Sequence, residues 1–224
     1  MLFFIYACVH FLRKNLLIPL IRKEDNMKNI LLKYMADLTS LSEEEQRAIT
    51  ESLKIEEYKK GKHLLKQGEF SSTKCYFVLK GCVRQFYIEE SGKEVTSNFF
   101  TEEEAIPIIN EQNQAESAKY SLVCVEDCIL VVGDVHSETT MFNKYPQLET
   151  MIRKMMEINL GEIHEKLGEF IMSSPEKRYE SLLMKRPQLV ERVPQHQLAS
   201  YLGITPESLS RIKKRMKKIT QINK

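Results

Sequence analysis

Cysteine, glycine and proline are all scarce in this chain, whose 224 residues include five Cys, eight Gly and seven Pro. So few Cys, with no Cys-x-x-Cys pair among them, exclude a disulfide scaffold and point to a reducing, cytoplasmic home. Low Gly and Pro beside 42% hydrophobic and 29% charged residues exclude collagen-like and disordered chains and leave enough apolar side chains for a sizeable core. The length allows one large or two small domains. A long hydrophobic run is missing too. Residues 1–12 are nearly all apolar, but Arg13 and Lys14 interrupt them and Pro19 breaks the next run, so neither reaches the ~20 residues that a spanning helix needs. The charges follow the apolar run and no small-residue cleavage site is present, which excludes a secretory leader. Composition changes at Met27-Lys28-Asn29, which reads as the start of the functional protein, with 1–26 an extension; the competing reading is a peripheral membrane tether.

Catalytic patterns are absent as well. There is no Gly-x-Ser-x-Gly elbow, Walker loop, zinc-protease helix or paired catalytic carboxylates, so the expectation is a non-enzyme without a cofactor. His63, His136 and His164 have no ligand partners at metal spacing, and Cys75, Cys82, Cys124 and Cys128 read as buried small apolar side chains rather than a metal or redox centre. Cys124 and Cys128 are expected on one side of a strand.

What is present is an uneven distribution of charge. Residues 27–174 carry 17 Lys+Arg against 25 Asp+Glu, whereas residues 175–224 carry 12 against 4. A basic end on an acidic body points to a polyanionic partner. Ser42 followed by Glu45 is a capping-box signature and predicts a helix over 43–53. From Ile55 to Val135 short runs rich in Val, Ile, Phe, Tyr and Cys, punctuated by Gly61, Gly68, Gly81 and Gly92, predict an antiparallel sandwich or barrel with a hairpin turn at Ser91-Gly92. From Pro146 the period turns helical. Leu148, Ile152, Met155, Met156, Leu160, Ile163, Leu167 and Phe170 fall three or four apart on a helix too long for so small a β module, and a second copy of the chain is the economical cover for its apolar side.

The last fifty residues are the most specific. Ser174-Pro175 caps and starts one helix, which Pro187 closes. Val193 to Met216 then reads as helix, glycine turn, helix: Leu198 and Leu202 face inward, Gly203 permits the turn, Thr205 caps the second helix and Pro206 takes its first position. On the second helix Leu209, Ile212 and Met216 make one stripe, while Glu207, Ser210, Arg211 and Lys214 make another. That division suits a reading helix in a major groove, with Arg211 donating twice to guanine, Glu207 accepting from cytosine and Ser210 able to do either. Gln195, His196, Gln197, Thr205, Ser208, Lys213, Lys214 and Arg215 suit phosphates. The bland alternative for Glu207 is a helix-surface pair with Arg211.

Gly68-Glu69, Cys75-Tyr76-Phe77-Val78-Leu79-Lys80-Gly81, Gly92-Lys93-Glu94 and above all Leu198 to Arg211 resemble the Crp/Fnr family of bacterial transcription regulators from Met27 onward. The resemblance implies an α+β chain: a jelly-roll-like antiparallel β-roll effector domain over 27–145, a long dimerisation helix over 146–173 and a C-terminal helix-turn-helix domain over 174–224. It also implies a homodimer on a palindromic double-stranded DNA site, with Glu207, Ser210 and Arg211 touching bases of a TTGA-like half-site, RNA polymerase as a further partner, and no membrane partner. Family members that bind cyclic AMP hold its phosphate with Gly-Glu and Arg-Ser pairs. Here Ala105-Ile106-Pro107-Ile108-Ile109 and Ser117-Ala118-Lys119-Tyr120-Ser121 stand in those places, with Glu102 to Glu104 adding repulsion, so the effector is expected to be some other small molecule. The wing common in the family and its N-terminal iron–sulfur Cys cluster are not expected. The alternative function is a small-molecule or redox sensor acting through protein contacts.

Overall fold

The computed structural model describes residues 42–51, 54–69, 74–102, 104–106, 117–134, 143–146, 160–161 and 163–222. Residues 1–26, and with them the tether reading, lie outside that set. So do Leu148, Ile152, Met155 and Met156.

The first element among the described residues is α1 (Glu43–Glu51), fixed by the capping box expected of it: the Ser42 N–H donates to Glu45 Oε2 at 2.8 Å, and the Glu45 N–H returns to Ser42 Oγ at 3.3 Å. Among the described residues eight strands follow: β1 (Lys54–Tyr58), β2 (His63–Leu65), β3 (Lys74–Lys80), β4 (Val83–Ile88), β5 (Glu94–Phe100), β6 (Ala105–Ile106), β7 (Ser121–Cys124) and β8 (Cys128–Asp134). They form two antiparallel sheets, ordered β1-β8-β3-β6 and β2-β7-β4-β5. Among these strands only β4 and β5 are consecutive in one sheet, joined through the turn at Gly92, where Glu89 N–H donates to Lys93 O and Gly92 N–H to Glu89 O. Every other connection crosses to the opposite sheet, which is how a roll closes around one core. Val78, Val83, Leu122 and Leu130 have no exposed surface and sit between the sheets with Tyr76, Phe100, Ile106 and Val132.

Crossing between sheets needs tight corners. Gly81, between β3 and β4, has φ +106°, and a Cβ there would fall 2.6 Å from Cys128 Sγ and 2.8 Å from Asp127 O, so no other residue fits. Another corner corrects the sequence reading of the cysteines. Cys124 ends β7 and Cys128 begins β8, in different sheets, because the apolar run from Ser121 to Val132 is broken by a turn at Val125–Asp127. Both are nevertheless buried free thiols, as are Cys75 and Cys82.

Residues 163–172 are helical, and four helices follow: α2 (Pro175–Lys185), α3 (Pro187–Arg192), α4 (Gln195–Tyr201) and α5 (Pro206–Ile222). Ser174 Oγ accepts from the Lys177 N–H at 3.3 Å and Pro175 occupies the first turn, so α2 starts as its sequence dictates. Pro187 ends α2 but also starts α3, a short helix that the sequence reading missed. Tyr179, Leu182, Leu189, Val193, Leu198, Ala199, Leu202, Leu209 and Ile212 build a second core, and three β-roll residues, Cys82, Phe99 and Val125, belong to it. The helices therefore close their core on the outside of the roll. No helix among the described residues is long and apolar enough to cross a membrane.

Candidate nucleic-acid interface

The α4–turn–α5 unit is shaped by local chemistry. At the end of α4 the Gly203 N–H donates to Ser200 O and the Ile204 N–H to Ala199 O, both at 3.0 Å, with Gly203 at φ +69°. This left-handed residue just past a helix is the usual way to satisfy the last carbonyls. The same glycine lies under Phe170 of the preceding helical run, whose ring would be 3.3 Å from a Cβ at 203. Thr205 Oγ1 accepts from the Ser208 N–H at 3.2 Å, and Pro206 begins α5.

Helical spacing then divides α5. Leu209 and Ile212 are buried and Met216 packs beside them, whereas Glu207, Ser210, Arg211 and Lys214 are exposed together on the opposite side. Arg211 Nη2 donates to Ser208 Oγ at 3.3 Å. Glu207 is held below the usual carboxylate range by its own backbone N–H at the helix start and by the Thr205 hydroxyl, with Arg211 adding a smaller attraction. It is therefore an ionised acceptor at neutral pH, which is what recognition of an amino group requires.

The remaining candidates differ in how free they are. Gln195, His196 and Thr205 are exposed, while Gln197 and Ser208 are half-buried. Gln197 Oε1 is buried without a hydrogen-bond partner. Lys213 lies with its ammonium 5.8 Å from the centre of the Tyr179 ring, and Arg215 pairs with Glu176 of α2. Leu160, Ile163 and Leu167 are half or more exposed, with spacings of three and four.

The unit is seated on the β-roll. The Thr96 N–H of β5 donates to Ser200 Oγ of α4 at 2.9 Å, and the Phe99 and Tyr201 rings meet edge to face at 5.4 Å. Beside them two arginines that sequence reading passed over, Arg186 and Arg192, reach the carboxylates Glu102, Glu104 and Glu126. The repulsion expected of Glu102 and Glu104 toward an anion is thus met by arginine. Nothing in the sequence marks these pairs, whose partners lie 66 to 90 residues apart.

On the roll, Ala105 and Ile106 are buried and pair with Phe77 and Tyr76, while residues 107–116 lie outside the described set. Ala118 is buried and tied to the chain that follows β2, the neighbour of β7 in its sheet: its N–H donates to Glu69 O and its carbonyl accepts from Gly68 N–H, both at 2.8 Å; Lys119 is exposed. A cleft of about 400 Å³ lies beside β2, lined by Gly61 to Lys66 and Glu69. Among the described residues no group of His, Cys, Asp and Glu could hold a metal ion.

A two-sheet roll carrying helices on one flank defines a class. Residues 55–144 match the cyclic nucleotide-binding domain family. No curated protein matches the chain. Among solved structures, FixK2 from Bradyrhizobium japonicum has the same fold, with TM-score 0.63, 15% identity and coverage of 75% of this chain and 86% of that one. The c-di-GMP-responsive global regulator CLP of Xanthomonas campestris gives 0.58, 16%, 75% and 88%. A CooA variant from Carboxydothermus hydrogenoformans gives 0.58, 15%, 84% and 84%. The resemblance to Crp/Fnr-family regulators is thus borne out at the level of the fold.

Proposed function

We propose that this chain is a sequence-specific, double-stranded-DNA-binding transcription regulator of Crp/Fnr type that acts as a homodimer in the cytoplasm. The observation that carries the reading is the division of α5: Leu209 and Ile212 are locked in the core, which leaves Glu207, Ser210, Arg211 and Lys214 outward on a helix capped by Thr205. A helix presented in this way can lay its first turns in a major groove, with Arg211 forked onto guanine and Glu207 accepting from cytosine. Thr205, Ser208, Gln195, His196, Gln197 and the basic side chains Lys213 and Lys214 supply phosphate contacts, which set affinity without reading sequence, with Arg215, already paired to Glu176, contributing least.

The exposed Leu160, Ile163 and Leu167 support pairing of two copies through the helix that precedes the head, since an apolar stripe of this spacing is the seam of a helix pair. Two heads related by a two-fold axis then read a palindrome. The β-roll is the effector-responding part, and its effector is a small molecule other than a typical cyclic nucleotide, because Ala105 and Ile106 are committed to the sheet and Ala118 to backbone bonds with Gly68 and Glu69. Contact with RNA polymerase is the expected output.

Selection of bound fragments from random duplexes tests the reading. The selected sites are expected to be palindromic, and Arg211→Ala is expected to weaken binding to them by about 1 to 3 kcal/mol while leaving the melting temperature unchanged. Equal binding by the variant and the parent would remove Arg211 from the reading face.

A further inference from the structure

The contacts between head and roll are more directed than the packing of two domains requires. Arg192, the last residue of α3, grips Glu102 with two parallel bonds, Nη1 to Oε2 at 2.7 Å and Nη2 to Oε1 at 2.8 Å. Its Nε reaches Glu126 Oε1 at 3.0 Å. Glu102 is fastened from behind by the Gly81 N–H at 2.9 Å, at the corner where no side chain fits. Six residues before Arg192, Arg186 donates from Nη2 to Phe99 O at 2.8 Å, Thr101 Oγ1 at 3.2 Å and Glu104 Oε2 at 2.9 Å. Glu104 is itself braced by the Thr101 N–H at 2.6 Å.

The third point is Ser200, which holds the Thr96 N–H. Thr96 is stiffened in turn by the buried Arg84, whose Nε donates to Thr96 Oγ1 at 2.8 Å and whose Nη1 pairs with Glu94 at 2.5 Å. Forked arginine–carboxylate bonds fix direction as well as distance. Arg186 ends α2, Arg192 ends α3 and Ser200 lies in α4, so the head is held at three separate points. A single point would leave rotation free; three do not. The side chains of Arg186 and Arg192 are only 17% and 21% exposed, so these ion pairs are not the solvated surface kind that contributes little.

Two heads in a dimer must present their reading helices at a separation set by the DNA, about 34 Å per helical turn between half-site centres. Whatever fixes each head on its roll therefore fixes which spacing is accepted. We infer that Arg186 and Arg192, held by Glu102, Glu104 and Glu126, are positioning residues that set the half-site spacing of the operator. The inference rests on the DNA-reading function proposed above. All five are engaged with one another between head and roll, so they act through the orientation of α5.

The test uses the full-length protein and a series of duplexes that carry the selected half-site twice, with the spacer lengthened or shortened by one or two base pairs. The parent is expected to lose about tenfold or more in affinity when the spacer is wrong by two base pairs, a loss of about 1.4 kcal/mol or more. Arg186→Gln with Arg192→Gln is expected to bind a single half-site like the parent but to lose less than about threefold across the same series. Glu102→Gln and Glu126→Gln, which alter the clasp from the roll, are expected to flatten the profile in the same direction and guard against a double variant that fails to fold. Exchange of the Thr96 amide hydrogen reports release of the head independently of DNA and should accelerate in each.

A parent and variants with equally steep profiles would overturn the inference. So would weakening confined to the arginine variants and equal at every spacing, because the guanidiniums would then be phosphate contacts. A parent with no sequence preference on any duplex is a different failure: it refutes the DNA-reading function and the spacing role together, whatever the amide exchange shows.

Discussion

Arginine is used in opposite ways on the two sides of the helical head. Toward the β-roll, Arg186 and Arg192 are half-buried, each bonded to carboxylates in fixed geometry. Away from it, Arg211 and Lys214 stand exposed, and the only bond described for Arg211 is to a serine hydroxyl of its own helix. The lesson is that the excess of 12 basic over 4 acidic residues in 175–224 overstates the charge available to a polyanion. Part of it neutralises the acidic roll through Arg186 and Arg192, and Arg215, although exposed, is already paired with Glu176 of the same segment. A composition count measures the charge of a segment, whereas salt-dependent binding measures only the charge that faces the partner.

The contrast can be broken most severely through the core that both sides share. Leu198 is fully buried in the head's core beside residues of the roll, and Leu198→Ala should lower unfolding free energy by about 2 to 5 kcal/mol in urea titration. Full retention of stability would mean that the head does not depend on this core.

Gly203→Ala comes next. The residue is left-handed at φ +69° and its new methyl would press on Phe170, so a loss of about 1 to 2 kcal/mol is expected by thermal melting, without a change in sequence preference.

The outward side can be sharpened by salt. If Lys214 faces phosphate, Lys214→Ala should reduce the slope of log affinity against log salt by about 1, while Arg215→Ala, already neutralised by Glu176, should change it by much less. Equal slopes for both would erase the distinction between a cation already paired within the head and one left to face phosphate.

The inward side can be sharpened by acid. Burial opposes the charge of Glu102, yet hydrogen bonds from Arg192 and the Gly81 N–H hold its carboxyl below the usual range. A carboxyl depressed in the folded state contributes stability that is present above its unfolded value, about 4.3, and is lost as pH falls through that value toward the folded one. Parent stability should therefore decline in this window, and Glu102→Gln should show a shallower decline. Identical pH profiles would remove Glu102 from the linkage.

How much of this was legible in the sequence follows from how far apart the partners are. Ser42 with Glu45, Ser174 with Pro175, and Gly203-Ile204-Thr205-Pro206 each act within four residues, and each forms the cap or turn that its spacing implies. The two stripes of α5 were readable for the same reason, since helical periodicity is local. The roll was readable as strands and punctuation, although the turn inside the run from Ser121 to Val132 was hidden by Val125, which is as apolar as a strand residue. The clasp was not readable, because a carboxylate in a turn after β5 and an arginine 90 residues later announce nothing about each other. Arg192 in particular looked like one more cation in a basic tail.

The second core carries a practical consequence. Cys82, Phe99 and Val125 complete a helical assembly that begins at Pro175, well beyond all three in the chain, so the helical head does not own all of its interior. A peptide excised at Ser174 would lose Cys82, Phe99 and Val125 from the core that Leu189, Val193, Leu198 and Leu202 share, and would leave Tyr201 without the Phe99 ring. The cut that charge and motif recommend thus passes through a folding unit, in which roll and helices share one interior.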